Sequence, residues 1–377
     1  MPESMTDVTP FTVDVAAEQI EDLQQRLRNT RFPEPETVDD WEQGVPLQYV
    51  QDLCTYWADT YDWSARQAQL NRFPQFTTQL DDLNIHFIHA RSPHEDALPL
   101  VMTHGWPGSV VEFMKVIEPL TNPDDPADAF HVVCPSLPGY GWSDKPSTTG
   151  WNTQRISKAW TELMARLGYD RYVAQGGDWG SAVTLGIGAI DKEHCAAVHT
   201  NMIIAPPSKE MRENLTEAEQ QALADYAYHQ RWGMGYSTQQ STRPQTLGYS
   251  LVDSPAGQLA WIVEKFWQWA DCDGNPENVL TRDEMLDNVM LYWLPGTGAS
   301  SGRLYWESFN NRTFEPVQVP VCVSVFPKEI FRASRRFAEP LYDIRYWNEL
   351  DKGGHFAAFE QPELFVNELR TAFRQFR

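Results

Sequence analysis

The residues best suited to chemistry in this chain are Gly176-Gly177-Asp178-Trp179-Gly180-Ser181. An apolar run, Tyr172-Val173-Ala174, leads in, and a second, Ala182-Val183-Thr184-Leu185-Gly186-Ile187, leads out. Small residues two before and two after Asp178 complete the strand, sharp turn, helix pattern of a nucleophile elbow. Such a turn is strained, and a Cβ at the flanking positions would collide with neighbouring backbone. Most elbows carry Ser at the centre. A carboxylate there is a poor acyl nucleophile, but it can displace a good leaving group at saturated carbon. The product is an ester whose carbonyl belongs to the protein, and water can then attack it. Asp178 therefore points to epoxides or alkyl halides rather than to esters or amides.

The partners such chemistry needs follow in order. Glu329 stands just past the apolar run Val319–Phe326, and His355 sits in Gly353-Gly354-His355-Phe356. Nucleophile, acid, histidine is the chain order of the elbow architecture. His355 would deprotonate the hydrolytic water, and Glu329 would fix its tautomer and stabilise the imidazolium. Asp351 and Glu360 lie nearer to His355 in sequence, but neither ends a core strand. Upstream, His104-Gly105-Trp106-Pro107-Gly108-Ser109 joins a strand end to a helix start. Backbone N–H groups become available to an anion at such a junction, so the amides of Trp106 and Trp179 are the candidate oxyanion donors. Opening an epoxide also requires a donor to the ring oxygen. Tyr226, Tyr228, Tyr236, Tyr249, Tyr292 and Tyr305 are available, and residue patterning alone does not choose among them.

The elements that must position these groups read as an α/β fold. Residues 1–80 lack the look of a sheet: Asp14 could cap a helix striped by Ile20, Leu23 and Leu27, and Tyr49, Leu53, Tyr56 and Trp57 share a later helical face. From Leu83 apolar strands alternate with helices, which argues for a mostly parallel sheet with right-handed crossovers. Ser109 and Glu112 fit a capping box opening a helix from Val110 to Glu118. Another helix, striped by Ile156, Trp160, Leu163 and Leu167, stops at Gly168. After Thr200 the pattern turns helical for about 100 residues. Capping boxes at Thr216/Glu219 and Thr281/Glu284, and Ser254-Pro255, predict helices near 216–231, 255–268 and 281–293. Trp232, Trp261, Trp267, Trp269 and Trp293 load this lid and predict an apolar pocket. The divisions are 1–80, a wrapping extension; 81–205 and 315–377, the two parts of the core; and 206–314, the lid.

Bulk numbers narrow the partners. A net charge of −22, from 52 acidic and 30 basic residues, disfavours nucleic acid and anionic membrane. The 5 cysteines lack metal-like spacing and read as free thiols in a reducing compartment. The acidic start, Met1 to Asp7, does not resemble a signal peptide, and no run reaches the length of a membrane span. A cytoplasmic enzyme with no cofactor and no metal is expected.

Over nearly its whole length the chain resembles the epoxide hydrolases of the microsomal and juvenile-hormone type, in their soluble bacterial form. The motifs are His104–Ser109, Gly176–Gly180, Asp253-Ser254-Pro255-Ala256-Gly257, Phe326-Pro327-Lys328-Glu329 and Gly353–Glu360. The resemblance implies an α/β-hydrolase fold with an N-terminal extension that wraps core and lid. It also implies Asp178 as nucleophile, Glu329 and His355 as the charge-stabilised base, and Tyr236 and Tyr305 as the lid tyrosines. The expected partners are a lipophilic epoxide and water, with product a vicinal diol; no membrane anchor is expected, and a homodimer is left open. Two rivals are a haloalkane dehalogenase with the same Asp nucleophile and a binding protein that keeps the pocket without activity.

Overall fold

A computed structural model describes residues 7–310 and 315–377. The expected end of the lid at residue 314 and the stretch Met1 to Thr6 lie outside the described residues. The strands are β1 (Thr9–Phe11), β2 (Gln75–Leu80), β3 (Leu83–Ala90), β4 (Leu98–Thr103), β5 (Phe130–Pro135), β6 (Tyr172–Gly176), β7 (Cys195–Thr200), β8 (Val321–Val325) and β9 (Ile344–Glu349). Among the described residues they form one 9-stranded sheet in the order β1-β2-β3-β5-β4-β6-β7-β8-β9. From β5 to β9 every pairing is parallel, while β1, β2 and β3 add an antiparallel edge. Leu100, Val101, Val132, Val133, Val173 and Ala174 are fully buried, as continuous apolar central strands covered on both faces should be. Each such Val or Leu contributes about 1.5–3 kcal/mol relative to exposure. The sheet thus begins inside the 1–80 segment. Short, half-polar β2 hid there because its alternation is weak, yet it pairs along its full length with β3.

The helices are α1 (Ala17–Arg28), α2 (Leu47–Asp59), α3 (Trp63–Leu70), α4 (Ile117–Thr121), α5 (Thr153–Arg166), α6 (Asp178–Ile190), α7 (Glu217–Tyr228), α8 (Gly235–Thr242), α9 (Pro244–Asp253), α10 (Pro255–Trp269), α11 (Arg282–Trp293), α12 (Gly298–Asn310), α13 (Arg335–Ala338), α14 (Ala357–Glu360) and α15 (Pro362–Phe373). The capping boxes predicted at Thr216/Glu219 and Thr281/Glu284 form, Ser254 caps α10 ahead of Pro255, and Gly168 ends α5 at a φ of +82°. The one predicted at Ser109/Glu112 does not, because Ser109 Oγ accepts from Val111 N–H on a 3-10 turn instead. Asp14 caps nothing. Asn71, the C-cap of α3, and Gln67 within it accept from the amides of Val13 and Val15, holding that stretch extended, and α1 starts only after Ala16.

The single helix expected from Val110 to Glu118 is instead a 3-10 turn, Val110–Phe113, followed by α4. Val110, Val111, Phe113, Val116, Ile117 and Leu120 are all buried, too wide a spread for one face of one helix. The lid also contains α8, α9 and α12 beyond the expected helices. Their sequences are rich in Gly, Ser and Thr, poor helix formers that read as loop. Tertiary packing overrides the propensity: a Cβ on Gly248 would lie 2.4 Å from that of Ala299, and one on Gly298 2.6 Å from that of Leu251. Small residues let α9 and α12 pack closely.

Candidate active site

β6 ends at Gly176, and the chain turns at once into α6, with Asp178 at a φ of +50°. A Cβ on Gly176 would stand 2.1 Å from the carbonyl oxygen of Gly180, and one on Gly180 1.9 Å from that of Thr103. Glycine is therefore required at both flanks, as the elbow pattern implies. Gly105 is needed for a different reason: its Cβ would lie 2.2 Å from Asp178 Oδ1. The Asp178 carboxylate sits at the N-terminal end of α6, where the helix dipole favours negative charge.

His355 arrives from the loop after β9. Its Nε2 lies 3.4 Å from Asp178 Oδ2, and its Nδ1 is 2.6 Å from Glu329 Oε1. Lys328 N–H donates to Gly353 O at 3.1 Å, which binds the acid's loop to the histidine's loop. Glu329 also accepts from Ile330 N–H at 2.8 Å and from Asn201 Nδ2 at 3.4 Å. Burial alone would lower the imidazole's pKa; Glu329 on one side and Asp178 on the other outweigh it and hold His355 well above its ordinary value. Asp351 is exposed, so it does not compete with Glu329.

The carboxylate of Glu360 does other work. It accepts from the amides of Asp271, Gly354 and Phe356 at 2.7, 3.0 and 2.9 Å, tying the histidine loop to the end of α10. His355 N–H donates to Trp269 O at 2.9 Å in the same seam.

Trp106 N–H donates to Asp178 Oδ1 at 2.9 Å. Trp179 N–H lies in the first turn of α6, where amides have no acceptor within the helix. Of the six candidate tyrosines, two come to this site. Tyr236 stacks on Trp106 with ring centres 4.8 Å apart, and Tyr305 meets Trp179 edge-on at 4.8 Å. The two phenols pack at 5.8 Å from each other. Burial pushes both pKa values up, so both stay protonated as donors, and Tyr305 Oη is buried without a hydrogen-bond partner among the described residues. The other four go elsewhere. Tyr226 packs on Phe331, Tyr292 donates to Gly108 O at 2.7 Å, and Tyr228 and Tyr249 are exposed.

The lid tryptophans whose abundance predicts an apolar pocket divide between the site and other surfaces. Only Trp269 and Trp261 pack on Trp106; Trp232 is 65% exposed, Trp267 stacks on Trp41 of the extension, and Trp293 lies under Arg26. Aromatic content alone cannot say which side of a helix faces the core. Two polar residues at the site, Asn201 and Gln175, carry no sequence signal of their own, and Glu112 reads in sequence only as a capping-box partner of Ser109. Asn201 follows directly on the end of β7, a position where strand-end residues face the elbow, and that could have drawn attention to it.

Comparison with known proteins follows the same lines. The family description "Epoxide hydrolase N terminus" matches residues 8–113, and "alpha/beta hydrolase fold" matches residues 99–231. A Stigmatella aurantiaca (strain DW4/3-1) protein bearing a provisional epoxide hydrolase name is 54% identical, with 98% of this chain and 86% of that protein covered. "Epoxide hydrolase 1" of Sus scrofa is 34% identical over 96% of this chain and 88% of its own. The crystal structure of juvenile hormone epoxide hydrolase from the silkworm Bombyx mori superposes with a TM-score of 0.90 at 30% identity, covering 98% of this chain and 95% of that one. Among the described residues, no helix is long and apolar enough to cross a membrane.

Proposed function

The chain belongs to the epoxide hydrolase family of the α/β-hydrolase fold, and we propose that it converts a lipophilic epoxide and water into a vicinal diol through a covalent ester on Asp178. In the first step a lone pair on Asp178 Oδ2 attacks a ring carbon and the C–O bond of the ring breaks. Tyr236 and Tyr305 donate to the ring oxygen, which would otherwise leave as a free alkoxide. In the second step His355 Nε2 takes a proton from water as the water oxygen adds to the ester carbonyl carbon. Negative charge gathers on Oδ1, where the amides of Trp106 and Trp179 receive it. Collapse breaks the bond between the carbonyl carbon and Oδ2, and the departing diol oxygen takes the proton back from His355.

The observation that carries this reading is the unequal treatment of the two carboxylate oxygens. Oδ1 is held by the Trp106 amide at 2.9 Å, while Oδ2 faces His355 Nε2 at 3.4 Å. One oxygen is prepared for oxyanion charge, and the other has the general base beside it.

The test is intact mass of the His355→Gln variant after mixing with styrene oxide and, separately, with a bromoalkane. The expected result is a gain of the whole epoxide mass, absent in Asp178→Asn. A gain of the bromoalkane less HBr, with nothing from the epoxide, would make the reaction a dehalogenation. Activity surviving in Asp178→Asn would overturn the mechanism. Turnover of the unmodified enzyme in ¹⁸O water should also label the Asp178 peptide, because Oδ2 leaves in the product.

A further inference from the structure

One buried carboxyl at the site has no part in the mechanism above. Glu112 follows the His104–Ser109 loop on the 3-10 turn, and it reaches back beneath Gly108. A Cβ on Gly108 would lie 1.4 Å from Glu112 Oε1, so the glycine there makes the room that the carboxyl fills. Glu112 lines a small cavity of about 20 Å³ whose wall also includes Asp178, His355, Thr103 and Gln175. That volume suits about one water molecule. Thr103 Oγ1 and Gln175 Oε1 are buried there without a hydrogen-bond partner among the described residues. Thr103 and Gln175 are 0% and 1% exposed, so bulk water does not satisfy them. Buried polar atoms of this kind are ordinarily met by an ordered water.

We propose that Glu112 seats the hydrolytic water in this cavity, accepting one of its O–H bonds while His355 Nε2 takes the other proton. The proposal rests on the assignment of Asp178 and His355 made above. Burial, with Asp178 nearby, pushes the Glu112 carboxyl up to about 8, against the opposing pull of His355. At neutral pH it is therefore mainly protonated: it does not compete with His355 as base, and its carbonyl oxygen is an acceptor for water. The atoms balance as in the two-step scheme, since Glu112 orients the water and exchanges no proton with the substrate.

A residue that serves only the second step has a distinct kinetic signature. If ester decay alone slows, kcat and KM fall together and kcat/KM stays constant, because kcat/KM ends at ring opening. Rapid mixing with styrene oxide, read by tryptophan fluorescence and by acid-quenched mass, resolves ester formation from ester decay. Glu112→Leu, close in volume and without oxygens, should slow decay by about 10- to 100-fold, with formation within about twofold of the unmodified enzyme. Glu112→Gln keeps an acceptor and the shape, and should slow decay by less. Should the Leu variant fail to fold, Glu112→Met, unbranched enough to fill the same space and a much weaker acceptor, decides: a slower decay at constant kcat/KM is expected, and an unchanged decay overturns the proposal. Equal loss in formation and decay also overturns it, because that marks general damage to the site. Failure of the parent reading looks different, namely no ester in His355→Gln.

Discussion

His355 lies between two carboxylates in the resting enzyme, and in the proposed mechanism ester formation would remove one of them. With Asp178 alkylated, the charge 3.4 Å from Nε2 is gone, and the imidazole's pKa falls toward its ordinary range. The base thus becomes neutral at the stage when a base is needed. Decay of the ester should rise with pH, with an apparent pKa below that of His355 in the free enzyme. Single-turnover decay against pH, set beside NMR titration of His355 Cε1–H, checks this, and equal values would refute it. The same shift has a stability side. A histidine raised in the folded state adds stability in full below about pH 6.5 and loses it as pH climbs through the folded value. Asp178→Asn should therefore flatten the decline of stability above pH 6.5. The tyrosines give a second prediction at this scale. Tyr305→Phe removes a hydroxyl with no hydrogen-bond partner among the described residues, so it should lower the ring-opening rate by about 10²-fold or more while leaving stability nearly unchanged. A large loss of stability with ring opening intact would show that the hydroxyl is structural.

Between residue and fold, the site depends on seams joining lid to core. Asn288 of α11 accepts from Ser109 Oγ and donates to Pro107 O, each at 2.7 Å, so a lid helix grips the loop that carries the Trp106 amide. Ser300 and Ser301 at the start of α12 are bonded to Gly139 O and Tyr140 Oη, anchoring the helix that carries Tyr305. Glu360 ties the end of α10 to the histidine loop. Glu360→Ala would leave the amides of Asp271, Gly354 and Phe356 without their acceptor, at about 1–3 kcal/mol for each that stays buried. The expected outcome is a lower Tm with slower ester decay at retained ester formation, and hydrogen exchange should accelerate at those amides first. Local capping chemistry made α7, α10, α11 and α5 legible in sequence, as did the glycine-flanked Asp178 and the Gly-Gly loop at His355. What stayed hidden depends on tertiary contact. Glu360 acts through a backbone amide brought from the end of α10 as well as two of its own loop. Asn201 acts through the side chains of Glu329, past β8, and Gln175 of β6. α12 opens on Gly-Ala-Ser-Ser-Gly that only packing turns helical, and the outward tryptophans differ from Trp269 by facing rather than by type.

Over the whole molecule, the extension closes the arrangement by holding the lid from outside. Tyr61 Oη donates to Asp287 Oδ1 at 2.7 Å, and Arg66 Nε to the same carboxylate at 2.9 Å; both donors come from the first 80 residues, and Asp287 stands beside Asn288 on α11. Asp287 is only 5% exposed, and burial raises its pKa even with Arg66 and Tyr61 pulling it down. Arg66→Met keeps the packing of the stem but leaves that carboxylate without its cation. The pair is partly solvated on the arginine side, so the cost should be about 2–3 kcal/mol rather than the full penalty of a buried pair. Its sign with pH is fixed: without Arg66 the folded pKa of Asp287 rises further above the unfolded value, and such a carboxyl loses stability as pH rises from about 4 upward. Urea unfolding at pH 8 should therefore show a larger deficit than at pH 5.5, and adding Asp287→Leu should recover most of it. If α11 transmits the damage through Asn288 to the Trp106 loop, kcat falls in Arg66→Met even where the protein is fully folded, and the double variant restores stability more than rate. A deficit independent of pH would mean that the arginine acts by packing alone, and the extension would then serve as a cover rather than an electrostatic clamp on the lid.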